Sequence, residues 1–316
     1  MSLSAHTAQV LNAVGSASGA SRLTASWRRS MVKHGLDPAQ HSTPRRLEMT
    51  QVSQRREELG AFLEVATPKL DQLFQMVGNT GCCVLLTDCN GVVLDQRSKD
   101  ADADTFDRWG LWSGADWSEQ SEGTNGIGTC LAEARNVTIH REEHFFTRNT
   151  AMSCMDSPIF GPDGELIGAL DVSSCRADQT ESYARLISNV VAQTAKQIET
   201  DAFRMAFPKA RIIAAPDARS DGAVLLAVDQ DDLVIGATRA ARRFYDLGQG
   251  GAIVPMPASD ILGRDTDASA LERAERAALK RAIARAGGNV SAAARELGIG
   301  RATLYRRMNR LGLGES

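Results

Sequence analysis

The sequence predicts an α+β protein, with an antiparallel sheet and helices in the N-terminal part and a small all-helical domain at the C-terminal end. Two hairpin-like phrases, at residues 81–96 and 159–172, predict the sheet, because apolar runs flank turn-forming residues in both. The third observation is charge. Residues 100–200 hold 17 acidic and 7 basic side chains, whereas residues 271–312 hold 10 basic and 3 acidic ones. A basic end on an acidic body indicates a polyanionic partner.

The composition is that of a globular protein of about two domains, with 316 residues and 43% hydrophobic side chains. No run of 18 apolar residues occurs, which predicts that the protein has no membrane segment. The first 20 residues lack the basic start and apolar block of a secretion signal. We therefore expect a cytoplasmic protein whose six cysteines stay reduced.

The first elements are predicted from helical spacing. Residues 1–25 are poor in large apolar side chains, which predicts disorder. Residues 26–35 read as a short helix that stops at Gly35. Apolar residues spaced by three and four over residues 48–76 predict an amphipathic helix with a break near Pro68.

The middle of the chain predicts strands and one long helix. In the first hairpin, Asn90-Gly91 supplies the positive φ angles of a tight turn. A long helix follows over residues 180–207, ended by Pro208. Residues 222–236 then align without gaps to residues 81–95, which indicates either a repeated unit or simply another hairpin. The region is too short for a second sensor domain, and a polar linker follows over residues 265–270.

The C-terminal end predicts a helix-turn-helix. A helix over residues 271–286 stops at Gly287-Gly288, and Asn289 or Ser291 can cap a second helix. After the glycine-rich turn at residues 298–300, a basic helix runs over residues 301–311. The predicted small core of this domain comprises Ile283, Ala293, Leu297, Ile299, Leu304 and Leu311.

The polyanionic partner that fits this layout is double-stranded DNA. The helix-turn-helix presents its second helix to base edges, so we expect Arg301 and Arg306 to contact guanine. We expect phosphate contacts from the other polar residues of the motif, namely Asn289, Ser291, Thr303, Tyr305, Arg307 and Arg310. The alternative is a solvated basic helix without a partner.

Residues 289–312 (NVSAAARELGIGRATLYRRMNRLG) resemble the Fis-type C-terminal DNA-binding module of bacterial enhancer-binding activators. The resemblance implies a homodimer. The N-terminal half is similar to the acetoin-catabolism activator family through Ser26-Trp27, residues 34–38 (HGLDP), residues 121–129 (SEGTNGIGT), His144-Phe145 and residues 157–160 (SPIF). This similarity implies a GAF-type sensor with a six-stranded antiparallel sheet over residues 26–207, a PAS-like segment and linker over 208–265, and the Fis-type domain over 266–316.

One departure from that family concerns ATP hydrolysis. Full activators carry a central sigma-54-interacting ATPase, which needs a G-x-x-x-x-G-K-[ST] loop, and no Gly-Lys pair occurs in this sequence. We therefore expect the protein to act by occupying DNA, or by pairing with full-length sigma-54 activator relatives.

Five residues are candidates for binding a small-molecule effector, namely Trp109, Thr124, Asn125, His144 and Cys154. Each has an alternative interpretation, because tryptophans also cover sheets and a glycine-rich segment is also a plain loop. The cysteines lack metal spacing and are expected to be buried small hydrophobes. A redox or metal-sensing role for Cys154, or for Cys83 with Cys89, is the alternative. The phrase His140 to His144 (HREEH) lacks HExxH spacing and reads as a loop.

The sequence therefore predicts a DNA-binding transcription regulator whose sensor binds an effector. An architectural, nucleoid-type DNA-binding protein is the second hypothesis, and a catalytic GAF-type domain with an incidental basic end is the third. No catalytic constellation, cofactor or metal site is predicted, so we do not expect an enzyme.

Overall fold

A computed structural model describes residues 4–15, 21–40, 43–176, 180–215, 222–262 and 270–313. The chain separates into two compact units, residues 1–257 and residues 258–316, whereas the sequence predicts a boundary near residue 265. The predicted linker at residues 265–270 falls almost wholly outside the described residues. No helix among the described residues is both long and apolar enough to span a bilayer.

The N-terminal segment differs from the predicted disorder. Helix α1 (Ala5–Gly15) is followed by α2 (Arg22–Arg28), which Ser21 caps and which continues as a π-helical turn, Arg29–Lys33. Gly35, with φ of 67°, ends the segment as predicted. The order of this segment comes from long-range packing, because Val10 of α1 lies in one apolar cluster with Trp27, Phe145 and Phe146. The few large side chains of this segment are thus enough to dock it.

The next helices break at a different place from the predicted one. Helix α3 (Met49–Glu58) ends at Leu59, and α4 (Gly60–Val77) runs through Pro68. Proline removes the hydrogen bond to the carbonyl group four residues earlier. Here both Pro68 and Glu64 are exposed, so water can satisfy the Glu64 carbonyl group.

The large sheet has five antiparallel strands among the described residues, not the six implied by the resemblance. They are β1 (Cys82–Asp88), β2 (Val93–Arg97), β3 (Val137–His140), β4 (Ser153–Phe160) and β5 (Leu166–Ser174). Their order is β2-β1-β5-β4-β3. Both predicted hairpins are confirmed, although in the first turn only Gly91 has a positive φ.

Helices cover both faces of this sheet. The predicted long helix is confirmed as α8 (Glu181–Ala206), which packs with α4 against Val84, Leu86, Met155, Leu170 and Val172. The opposite face, here called the α7 face, is covered by α5 (Asp100–Trp109) and α7 (Gly126–Glu133), and the short α6 (Glu119–Glu122) packs on α7. Alternate residues of β4 and β5 therefore point toward α7, including Cys154, Asp156, Asp171 and Ser173.

A small second sheet follows, with strands β6 (Arg211–Ala214), β7 (Leu225–Val228), β8 (Leu233–Ala237) and β9 (Met256–Pro257) in that order. The repeat at residues 222–236 forms the β7–β8 hairpin, as residues 81–95 form most of β1–β2. The turns match in detail. Asp88 Oδ1 accepts hydrogen bonds from the amides two and four residues later, both at 2.9 Å, and Asp229 Oδ1 does the same at 2.9 Å.

The two sheets meet at the far end of the β4–β5 hairpin. The amide of Phe160 donates to Glu199 Oε1 of α8 at 2.8 Å, and the guanidinium of Arg239 lies 3.7 Å from the centre of the Phe160 ring. Arg239 begins α9 (Arg239–Tyr245), whose buried Arg242 donates to the carbonyl groups of Ala237 and Gly251. The amide of Gly251 in turn donates to the Asp163 carbonyl group at 3.0 Å.

The C-terminal unit is helical, as predicted. After α10 (Ala258–Ile261) it contains α11 (Ala270–Arg285), α12 (Val290–Glu296) and α13 (Arg301–Arg310). Gly287, Gly288, Gly298 and Gly312 all have positive φ angles, which is why glycine punctuates these helix ends.

Candidate nucleic-acid interface and sensor site

Helix α13 presents one face to its own unit and the opposite face to solvent. Leu304 and Met308 are buried, whereas Arg306 lies midway between them in sequence and is exposed. Two residues correspond to about half a helical turn, so Arg306 points away from the core. This arrangement leaves the predicted base-contacting guanidinium at the centre of the outward face.

Arg301 begins α13 and lies beside that outward face. Its guanidinium carbon is 5.6 Å from the centre of the Tyr305 ring, and Tyr305 is 42% exposed. Such stacking restricts the long arginine side chain without consuming its hydrogen-bond donors. Arg301 and Tyr305 thus form one exposed, positively charged edge.

The predicted phosphate contacts Arg307 and Arg310 have an internal partner. Both guanidinium groups form ion pairs with Glu275 of α11, Arg307 at 3.2 Å from the carboxylate. The Glu275 side chain is only 16% exposed, so it neutralises part of the basic surface from within the unit. The spacing of charges along the sequence does not disclose this pairing, because the partners come from different helices.

Of the two proposed caps, Asn289 is the one the structure uses. Its Oδ1 accepts hydrogen bonds from the amides of Ser291 and Ala292, both at 3.1 Å, at the start of α12. Asn289 is exposed, and its Nδ2 group takes no part in the cap. Two other predicted phosphate contacts, Ser291 and Thr303, are half-buried. The cap therefore leaves Asn289 able to donate to a phosphate.

The core of the C-terminal unit is larger than predicted. Ala293 and Leu304 are fully buried as expected, while the predicted Ile283, Leu297, Ile299 and Leu311 surround the centre and are partly buried. Sequence reasoning missed the other buried residues, which are Leu279, Ala282, Ala294 and Met308. Their spacing of three and four residues along α11 and α13 is the signal that could have found them.

In the N-terminal unit, a buried polar joint connects α2 to the segment before α7. Ser26 donates to Glu119 Oε1 at 2.7 Å and lies 2.8 Å from Thr124 Oγ1, while Thr129 donates to the same carboxylate oxygen at 3.0 Å. Arg29 binds both Glu119 oxygens. The candidate ligand residue Thr124 is thereby engaged within the protein, and two of the sequence phrases that carry the family resemblance meet here.

The candidate residue Asn125 also has an internal role. It caps α7, since its Oδ1 accepts from the Gly128 amide at 2.8 Å and its Nδ2 donates to the Gly123 carbonyl group at 2.8 Å. A side-chain carbon on Gly126 would collide with Asp156 Oδ2 and Cys154 Cβ. Glycine at this position therefore lets α7 lie directly on the sheet.

The candidates His144 and Cys154 form a pair on the α7 face. His144 Nε2 lies 3.4 Å from Cys154 Sγ, and Nδ1 lies 2.9 Å from the Arg141 carbonyl oxygen. A carbonyl oxygen only accepts, so Nδ1 carries the proton and Nε2 accepts from the thiol. Burial lowers the pKa of His144 to about 4 and raises the pKa of the Cys154 thiol, so the pair is uncharged at neutral pH.

Asp156 and Asp171 lie opposite each other on β4 and β5, and both are buried. Burial is the main cause that raises the pKa of Asp171 to about 7 and the pKa of Asp156 well above its usual range, with Asp171 as the next cause for Asp156. The raised pKa values favour a protonated carboxyl group within the pair, which can donate to the other carboxyl group. Neither residue is among the candidates predicted from the sequence, although two aspartates at inward positions of apolar strands were the available signal.

Trp109 is half-buried at the end of α5, where its ring packs edge-on against Phe106 with centroids 6.1 Å apart. It joins the apolar cluster that includes Leu85 and Cys154. The tryptophan thus covers the same face of the sheet that carries the His144–Cys154 pair. Covering the sheet was one of the two interpretations made from sequence, and a role of Trp109 in ligand binding stays a prediction.

The geometry disfavours a redox or metal-sensing role for Cys83 with Cys89. Cys83 is buried near the start of β1 and Cys89 is exposed just beyond its end, so these two thiols are too far apart to form a disulfide. Burial raises the pKa of Cys83, which disfavours the reactive thiolate. Within the described ranges, no group of three histidine, cysteine or acidic side chains could hold a metal ion.

Each of the two units matches a known protein family. Residues 6–200 match the family described as MimR, N-terminal domain, and residues 270–311 match the family described as bacterial regulatory protein, Fis family. The first match covers more than half of the chain.

Two curated relatives are transcription regulators. The acetoin catabolism regulatory protein of Cupriavidus necator is 30% identical over 243 residues, which cover 76% of this chain and 36% of the relative. The propane 2-monooxygenase operon transcriptional activator MimR of Mycolicibacterium smegmatis is 30% identical over 164 residues, covering 51% and 27%. The chain thus spans about a third of the length of these relatives, which are regulators and not enzymes.

The fold has a counterpart among solved structures. The chain resembles the crystal structure of the E. coli DhaR(N)–DhaL complex with a TM-score of 0.52 and 13% identity, over 75% of this chain and 80% of that one. At this identity the likeness supports the fold.

Proposed function

The chain belongs to the MimR N-terminal domain family and carries a Fis-type helix-turn-helix, and on that premise we propose that it is a sequence-specific DNA-binding transcription regulator controlled by a small-molecule effector. The observation that carries the proposal is the outward face of α13, where Arg306 and Arg301 are exposed and free of ion pairs among the described residues. Arginine binds the guanine edge through two parallel hydrogen bonds, so this face can read a base sequence.

The protein binds DNA as a homodimer. A groove of about 570 Å³ in the C-terminal unit supports this, because apolar residues of α11 line it together with Leu297 and Ile299. The ion-paired Glu275, Arg307 and Arg310 complete its lining. Leu271 at its edge is 79% exposed. An exposed apolar stripe on a DNA-binding unit is the surface that a second copy would cover, and two-fold symmetry would match a pseudo-palindromic operator.

The effector binds on the α7 face of the large sheet. His144, Cys154 and Trp109 lie there, next to the buried carboxyl groups of Asp156 and Asp171. The names of two relatives refer to acetoin catabolism and to propane 2-monooxygenase, which favours a small organic molecule as the effector here. Effector binding shifts the population of DNA-binding conformations.

The regulator works by occupying DNA. Residues 201–269 separate the two matched families, and no phosphate-binding G-x-x-x-x-G-K-[ST] loop occurs in the sequence. An ATPase motor is not required for this mode, since a bound dimer blocks or recruits polymerase by its presence. Pairing with a full-length sigma-54 activator relative is the second way in which the same dimer could act.

The deciding experiment is footprinting on the DNA that flanks the gene, with the full chain and with increasing salt. Protection of one pseudo-palindromic site over background supports the regulator. Uniform, salt-sensitive coating of all sequences would instead establish the architectural protein. Repeating the assay with a full-length relative present tests pairing through a new, mixed complex on the same site.

A further inference from the structure

Most carboxyl oxygens of the buried Asp156 and Asp171 lack a hydrogen-bond donor among the described residues. The strands place the two residues directly opposite each other, and they are 1% and 0% exposed. Ser173 donates to Asp171 Oδ2 at 2.8 Å. Apart from what one carboxyl group can donate to the other when protonated, Asp171 Oδ1 and both oxygens of Asp156 have no hydrogen-bond partner in the described part of the chain.

Buried acceptors without a hydrogen-bond donor lower the stability of a folded protein. A buried oxygen that has left water regains nothing unless a donor replaces the lost one, and buried polar groups are therefore nearly always paired. Two acidic residues on apolar strands weaken the fold if they serve packing alone. A bound molecule that supplies donors would remove this cost.

The surroundings restrict what that molecule can be. The side chains that face the pair are the thiols of Cys83, Cys130 and Cys154, the hydroxyl group of Ser173 and, beyond Cys154, the neutral His144. No basic side chain within the described ranges forms an ion pair with either carboxyl group. No set of ligands for a metal ion is present among the described residues either.

We propose that Asp156 and Asp171 form the part of the effector site that accepts hydrogen bonds from the hydroxyl group of a small uncharged molecule. This inference rests on the proposed effector-binding function and specifies the chemistry that the effector must carry. A hydroxyl group donates to one carboxyl oxygen and accepts from a protonated carboxyl group or from a thiol. A ligand with a carbonyl group alone offers no donor, and a cation would lose its hydration in a mostly apolar shell.

Entry of the ligand displaces α7. Gly126 lies against both Asp156 and Cys154, so a molecule that reaches the carboxyl groups must separate the start of α7 from β4. The same segment is tied to α2 through Thr124 and Thr129. Ligand binding therefore loosens or shifts the joint between α2 and α7, which a protease or hydrogen exchange reports in that region.

The test is calorimetric titration of the full chain with matched probes. Acetoin, the compound whose catabolism gives the Cupriavidus relative its name, carries one hydroxyl and one carbonyl group, and butane-2,3-diol carries two hydroxyl groups. Butan-2-one lacks the hydroxyl group, and ammonium chloride tests a cation. We expect at least one hydroxyl-bearing probe to bind with one site per chain and butan-2-one to bind at least about tenfold more weakly.

Variants assign the binding to the carboxyl pair. Asp156→Leu keeps the branching of the side chain, although its terminal methyl groups are larger than oxygens, and removes both acceptors. We expect it to weaken binding of the hydroxyl-bearing probe at least about tenfold. Asp104→Leu, at an exposed position of α5, is the matched control and should bind as the unmodified protein does. Asp171→Asn serves as a second variant if Asp156→Leu does not fold, as judged by circular dichroism.

Four results would overturn the proposal. They are no binding of either hydroxyl-bearing probe up to about 10 mM, equal binding of butan-2-one, preferential binding of ammonium, and unchanged affinity in folded Asp156 or Asp171 variants. The footprint described above needs no effector. A protein that binds its operator but none of the probes therefore refutes this inference alone, whereas the absence of a specific footprint refutes the proposed DNA function.

Discussion

Glu119 holds Arg29 through both of its carboxylate oxygens and so fastens α2 to the segment that precedes α7. The carboxylate side chain is 4% exposed and also accepts hydrogen bonds from Ser26 and Thr129. Four donors converge on one buried anion, counting Nε and Nη2 of Arg29 separately. The anion is therefore fully compensated in the folded chain and poorly replaceable by a neutral group.

Replacing this anion should destabilise the N-terminal unit. We expect Glu119→Gln to lower the free energy of unfolding by about 2–4 kcal/mol, because the Arg29 charge loses its partner and an amide cannot accept from all four donors. Urea unfolding of the full chain measures the change. Arg185→Ala, which removes an exposed ion pair with Glu181 on α8, is the control and should cost less than about 0.5 kcal/mol. A loss as small as the control's would mean that the joint contributes no net stability.

Arg306→Ala should change base discrimination as well as affinity. We expect a loss of about 1–3 kcal/mol on the operator with relaxed preference at one base pair, because the outward guanidinium would no longer bind a guanine edge. Competition binding on operators substituted at single positions measures both effects. Arg310→Ala should weaken all sequences alike, since that side chain is expected to contact phosphate. Unchanged operator affinity for Arg306→Ala would show that a different face of α13 meets the bases.

Glu275→Gln should strengthen binding to random DNA at low salt. The substitution releases Arg307 and Arg310 from their shared carboxylate, so up to two more cations can neutralise phosphates. The expected signature is a steeper fall of affinity with salt, by about one to two in the logarithmic slope. Glu296→Gln frees only Arg285 and provides the comparison. An unaltered slope in Glu275→Gln would place Arg307 and Arg310 away from the DNA backbone.

Glu199 should make the stability of the N-terminal unit depend on pH. Burial raises the pKa of Glu199 from 4.5 to about 7 in the folded chain, so the folded state binds more protons than the unfolded state between these values. The protonated Glu199 carboxyl group therefore contributes to the free energy of unfolding in full below pH 4.5, and this contribution is lost as the pH rises through about 7. Glu199→Gln, which keeps an oxygen for the Phe160 amide, should stabilise the protein by roughly 2–3 kcal/mol at pH 8 and change little at pH 4.

Unfolding in urea at both pH values measures that difference. Glu64→Gln, at an exposed position of α4, should leave the pH dependence as it is. If Glu199→Gln proves destabilising at pH 8, the ionised carboxylate stabilises the folded state there, for instance through its attraction to Arg239. Both side chains lie at Phe160, where the two sheets meet.

The elements of the fold that sequence predicts well are those specified by local signals. The Asp-containing turns, the glycine helix ends and the apolar spacing of α8 gave hairpins, helix boundaries and a long helix that the structure contains. The predicted helix break at Pro68 is wrong because the cost of a proline depends on which face of α4 it occupies. The sequence alone does not show that this face is exposed. The order of α1 likewise depends on Phe145, a contact across more than a hundred residues.

The same distinction applies to the candidate sites. The exposed arginines of α13 follow from its helical period, because the core residues of one helix define its outer face. The pairing of Arg307 and Arg310 with Glu275, and of Asp156 with Asp171, requires the register of helices and strands that are distant in sequence. His144 and Cys154 were both selected from sequence, but their contact was not, since it depends on how the loop before β4 folds back.

The matched turns at Asp88 and Asp229 have a consequence for the order in which the chain folds. Each aspartate closes its turn with amides no more than four residues away, so little loop entropy opposes the two hairpins. Pairing of β1 with β5 joins Cys82 to Ser174 and must close a far longer loop. We therefore expect the hairpins to form early and independently, and assembly of the central strands to limit the folding rate.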